Sequence, residues 1–200
     1  MKLQDAVNNY NSFREQNATC LGKIYPSQFT PYYGRFWLWN PDSLLEAVNL
    51  GDSLVTLAEG KENTYYQDDE GVDGCWQEYD NSRLGKKLKT NPEHFGELYI
   101  ALHGNHVSGD SLLHECIHGG QAFTRLVQKH SLKLSRNDKY FYNTEAEAYS
   151  STRLFREACI LLQKKKNIPL KWETHLIDNP VLRNLLPVSI PTNLGVYFQA

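Results

Sequence analysis

His114-Glu115-Cys116-Ile117-His118 gathers two imidazoles and a carboxylate within five residues. In a helix of about 3.6 residues per turn, positions i and i+4 stack on one face, so His114 and His118 can offer two ring nitrogens to one metal ion. Glu115, one position round from His114, can reach a water held by that metal. Two neutral histidines, a third ligand from elsewhere and a carboxylate that takes a proton from polarised water make a hydrolytic zinc site. A five-residue pattern also arises by chance, so the surrounding elements have to support it.

They do so first through the local helix. Phe95 to Leu102 reads as a strand, Gly104-Asn105 and Ser108-Gly109 supply a turn, and Ser108 or Asp110 can cap a helix running to about His130. Leu112, Cys116, Phe123 and Val127 form its apolar stripe, which makes Cys116 a core residue rather than a ligand or nucleophile. His114, His118, Gln121, Arg125 and Gln128 line up on another face. Gly119-Gly120 costs such a helix about 1 kcal/mol per glycine. That cost predicts another backbone passing close to the second histidine.

A third ligand is sought downstream. A long helix is expected from about Tyr140 to Lys166, stopped by Asn167 and Pro169, and it carries Glu145 and Glu147. At about 100° per residue, Glu145 lies beside the stripe Ala148, Thr152, Phe155, Cys159 and Leu162, while Glu147 points nearly the opposite way. A carboxylate at the edge of an apolar stripe is costly unless its charge is compensated, as a metal would do. Glu145 is therefore the expected ligand, and Glu147 takes its place if the helix is rotated from this phase.

The rest of the chain bounds the answer. Two hundred residues, 40% hydrophobic, fit one domain over 1–200, with a metal-binding core over about 95–166 and a proline-containing tail, 167–200, packed on it. The net charge is −2 and the basic cluster Lys164-Lys165-Lys166 reads as a solvated helix end, so neither nucleic acid nor an anionic membrane is an expected partner. The opening residues have no apolar signal region and no apolar run reaches membrane-spanning length; with four cysteines and no C-x-x-C, a reduced cytoplasmic location is expected. Residues 2–16 read as an amphipathic helix, Arg35 to Trp39 as a buried strand, and Asp42 or Ser43 as the cap of a further helix. Between Gly60 and Thr90 the chain is polar, with short strands or an ordered loop around Tyr65, Tyr66, Trp76 and Tyr79. Asp68-Asp69-Glu70 and Asp73 lack calcium-loop spacing and read as a solvated turn.

A helix with H-E-x-x-H followed, roughly 25 to 30 residues on, by E-x-x-A on a second helix resembles the glutamate-ligand (gluzincin-type) zinc metallopeptidases. The resemblance covers about residues 95 to 156. It matches Glu145 to the ligand and Ala148 to the small residue, but Tyr149 stands where many members have an aspartate that holds a zinc-bound histidine. The metzincin pattern is absent, because Gln121 and Thr124 occupy its glycine and third-histidine positions. The implied fold is α+β and zincin-like: a small mixed sheet with an edge strand near 97–102 that pairs with an extended peptide, packed on the H-E-x-x-H helix and a second ligand-bearing helix.

The implied function is a zinc-dependent metallopeptidase acting on a peptide or protein substrate. Zn2+ would be held by His114, His118 and Glu145, with Glu115 as general base and with Tyr142, Tyr149, His103 and His106 as candidate donors to the carbonyl oxygen. Two alternatives use the same residues: a zinc-stabilised protein-binding module without catalysis, and a zinc hydrolase of a non-peptide amide or ester. Glu115 separates the first, since a structural zinc site has no use for a carboxylate there and closes its fourth position with Cys or His.

Overall fold

A computed structural model of the chain describes residues 3–59, 72–78, 91, 93–130 and 136–172. In chain order the elements are α1 (Leu3–Asn17), β1 (Ala18–Ile24), β2 (Tyr33–Trp39), α2 (Pro41–Glu59), β3 (Gly74–Glu78), β4 (His94–Ala101), β5 (Val107–Ser108), α3 (Gly109–His130), α4 (Arg136–Lys164) and β6 (Leu170–Lys171). The fold is mixed α+β. The strands β1 to β4 form one sheet in the order β1-β2-β4-β3, with β2 and β4 parallel in the middle and β1 and β3 antiparallel on the flanks.

Alternation along the strands divides the core between the two faces of the sheet. Phe36, Leu38, Leu98 and Ile100 pack against Leu112, Cys116, Phe123 and Leu126 of α3 and Leu154, Ala158 and Leu162 of α4. On the other face Trp37, Trp39, Tyr99 and Ala101 meet Ala6, Val7 and Tyr10 of α1 and Leu44, Ala47 and Leu54 of α2. Helix α2 starts with Pro41, and the Asn40 side chain, rather than Asp42 or Ser43, caps it by accepting from the Asp42 N–H at 3.2 Å. Gly51 stays helical, and a Cβ there would meet the Gln77 side-chain amide of β3 at 3.2 Å.

Among the described residues the edge beside β4 is β3, and this corrects the expectation of an edge near 97–102. Every residue of β4 is buried and both of its sides are paired, as suits an apolar run in the middle of a covered sheet. Strand β3 is only five residues long and half-buried throughout. Glu97, the one acidic residue of β4, lies on the α1 face, where it takes an ion pair from Arg14 at 2.7 Å and a hydrogen bond from the Tyr99 hydroxyl. Its buried charge is thus compensated within the sheet and is no part of the α3 side.

Two details fix the start of α3. Ser108 caps it, its Oγ accepting from the Ser111 N–H at 3.2 Å. Beyond α4, where Lys166 and Asn167 take positive φ and end the helix, β6 returns parallel to β5 and Trp172 packs on Gly109, where a Cβ would meet the indole at 2.8 Å. Lys164, Lys165 and Lys166 are exposed at that helix end. The stretch 173–200 of the expected tail, the Asp68-Asp69-Glu70 run and the Tyr142 side chain lie outside the described residues. Among the described residues no helix is long and apolar enough to cross a membrane.

Candidate metal and hydrolytic site

Helix α3 carries both histidines on the face turned from the sheet. Their Nε2 atoms face each other at 3.1 Å, with the rings nearly perpendicular and the centroids 4.7 Å apart. Two nitrogens bound to one zinc at about 2.0–2.1 Å in tetrahedral geometry would be about 3.3 Å apart. His114 is two-thirds exposed, so the approach to this pair is open.

Glu115 is placed differently. It is buried, its carboxylate 3.9 Å from His114 Nε2, and it turns beneath the edge strand. A Cβ on Gly74 would stand 2.8 Å from Glu115 Cγ, so only glycine lets β3 run this close. The Trp76 backbone N–H donates to the Glu115 carboxylate. Burial raises the Glu115 pKa above the ordinary carboxylate value, while the two imidazoles and the Trp76 N–H pull the other way. A carboxylate that is desolvated yet held by a backbone donor is suited to taking up a proton and giving it back.

The edge strand presents backbone to the same place. The Asp73 carbonyl accepts from the Ala101 N–H at 2.9 Å, so the alternation of an antiparallel ladder turns Asp73, Cys75 and Gln77 inward to β4 and Gly74, Trp76 and Glu78 outward. The outward Trp76 N–H is the one that reaches Glu115. A cleft of about 390 Å³ lies between the start of β3 and the first turns of α3, lined by Val72, Asp73, Gly74, Asp110, Ser111, His114 and Glu115. His103, in a tight turn with His106 across Gly104, hydrogen-bonds Asp73 on that wall at 2.9 Å. Of the other candidate donors, Tyr149 is 73% exposed on α4.

Helix α4 crosses α3 at the glycine pair. A Cβ on Gly120 would meet Ser151 Oγ at 2.1 Å, Ser151 N at 2.8 Å and the Glu147 carbonyl at 3.0 Å, and one on Gly119 would strike Trp76 and Leu154. The backbone expected beside the second histidine is thus that of α4, with the Trp76 ring on the other side. The face of α4 in this contact comprises Glu147, Ser151, Leu154, Ala158 and Leu162, not the stripe through Ala148, Thr152 and Cys159. Glu145, Ala148 and Thr152 are exposed. The expected phase of Glu145 toward α3 is therefore corrected: Glu147 is the carboxylate on the α3 side, where its Oε1 accepts from Gln121 Nε2 at 3.1 Å. Gln121 Oε1 lies 3.3 Å from His118 Nδ1.

Cys116, fully buried in the core, is held as a thiol by burial, which lifts its pKa well above the ordinary value. The four cysteines form no disulfide. Among the described residues no third His, Cys, Asp or Glu completes a cluster with His114 and His118; Glu147 stands one hydrogen-bonded side chain away. Comparison with protein-family models, with curated proteins and with solved structures found no match.

Proposed function

We propose that the chain is a zinc-dependent hydrolase of the zincin-like type, acting on peptide bonds. The carrying observation is the position of Glu115, buried under the edge strand and beside two imidazole nitrogens that face each other at 3.1 Å. His114 and His118 would hold the metal. The third ligand would be Glu147 rather than the exposed Glu145, because Glu147 is the carboxylate on the α3 side. Zinc at such a site supplies Lewis acidity and brings a bound water toward a pKa of about 7.

The protein's own groups do the rest. Glu115 accepts the proton as water adds to the carbonyl carbon, then returns it to the departing amine. The Trp76 N–H keeps the carboxylate aimed at the cleft through that exchange. Among the described residues no strand covers the outer side of β3. Its outward Gly74 groups and Trp76 carbonyl, unlike the Trp76 N–H held by Glu115, would give an extended peptide something to pair with, which favours a peptide over a small amide or ester. His103, braced by Asp73, is the candidate donor on the cleft wall. A zinc-stabilised binding module has no use for Glu115 in this position.

The experiment is a broad peptide-library digest with zinc-supplied wild type and Glu115→Gln. Cleavage by the wild type that falls by a factor of about 100 or more in the variant, with zinc retained, is the expected result. Equal cleavage by both proteins, or none by the wild type, contradicts the proposal.

A further inference from the structure

The proton on His118 is set two side chains away. A carboxylate can only accept, so the end of Gln121 that meets Glu147 Oε1 at 3.1 Å must be its NH2 group. The amide oxygen is thereby turned to His118 Nδ1, at 3.3 Å. An amide oxygen also only accepts, so Nδ1 carries the hydrogen and Nε2 is left with its lone pair. That bare Nε2 is the atom facing His114 Nε2.

We infer that Gln121 is a positioning residue that fixes the tautomer and ring orientation of His118 and ties it to Glu147 on the neighbouring helix. One amide thus aligns a nitrogen from α3 and a carboxylate from α4. Its donor end takes the Oε1 oxygen of Glu147. The device depends on close helix contact, since Gly120 is what allows the Glu147–Ser151 backbone to reach α3. A histidine with its second nitrogen so engaged is better oriented as a ligand, and loss of such a partner typically costs about 10- to 100-fold in metal affinity. The purpose of this arrangement rests on the proposed metal site; the hydrogen-bond chain itself does not.

The test uses the whole, metal-free chain with 15N-labelled histidine, reading the His118 tautomer by NMR, and zinc affinity by competition with a chelator. Wild type is expected to show His118 protonated at Nδ1. Gln121→Leu should lose that preference and bind zinc about 10- to 100-fold more weakly. Gln121→Glu should keep the Nδ1–H form, since a carboxylate accepts from it as well, while losing the donor to Glu147. His118 protonated at Nε2 in the wild type, which needs no variant to fold, overturns the inference. So does a Gln121→Leu protein with unchanged tautomer and zinc affinity. If the wild type takes up no zinc while the tautomer still follows Gln121, the metal reading fails and the relay stands; tight zinc binding indifferent to Gln121 is the reverse.

Discussion

Gly74 and Glu115 approach so closely at the edge of the sheet that a Cβ on the glycine would stand 2.8 Å from the glutamate Cγ. The strand backbone and the buried carboxylate therefore share a space that no other residue type leaves open. Gly74→Ala is expected to push Glu115 out of line, because the added methyl would meet Glu115 Cγ at 2.8 Å with Ile100 Cδ1 at 2.9 Å on its other side. Displacing a reacting group by about 1 Å can cost about 100-fold in rate. We expect peptide hydrolysis to fall at least 10-fold with zinc content unchanged. Metal analysis and kinetics on the same preparation check this, and unchanged kinetics would separate β3 from the chemistry.

Glu147→Ala should weaken zinc binding strongly, whereas Glu145→Ala should leave zinc affinity within a few-fold of wild type, as substitutions at exposed positions usually do. Zinc titrations of the two variants side by side check the ranking. The opposite ranking would return the ligand to Glu145.

That ranking reverses the one drawn from helical phase, and the reason is physical. Large apolar residues at helical spacing normally mark a buried face, and Phe155, Cys159 and Leu162 drew the reading toward Glu145. The face that meets α3 runs instead through Ser151 at Gly120, Leu154 at Gly119 and the buried Ala158, and the glycine pair with Ser151 is what lets the two backbones approach. The Gly119-Gly120 pair carried this information, but a glycine pair does not say which residue of the neighbour fills the gap. The α3 helix was legible because cap, apolar stripe and glycines agree along it. Strand β4 was legible as a strand, from its unbroken apolar run, yet such a run is silent about its neighbours. Strand β3 was legible only as a short strand or ordered loop around Trp76, for the opposite reason: five residues, Gly74-Cys75-Trp76-Gln77-Glu78, in a polar stretch have too little alternation to mark an edge.

His94 gives a pH prediction on the far side of the sheet from α3. It is buried, stacked on Tyr33 with ring centroids 5.3 Å apart, and burial lowers its pKa despite the neighbouring Glu97; Arg35 and Arg14 act in the same downward direction. The unfolded chain then takes up this proton first as pH falls through the ordinary value of about 6.5. Stability is lost from there down toward the folded value, and none is lost above it. Urea midpoints between pH 7 and 5.5 should fall for wild type and fall less for His94→Phe, which keeps a ring against Tyr33. Parallel slopes in the two proteins would mean that His94 is not the group responsible.

The central claim is that His114 and His118 form one metal site, and zinc titration of the purified chain beside His114→Ala and His118→Ala tests it most directly. Isothermal titration should give close to one equivalent for the wild type and loss of that binding in each variant, since each imidazole would be a ligand. Stoichiometric zinc at native affinity in either variant, or no zinc binding by the wild type, would contradict the account.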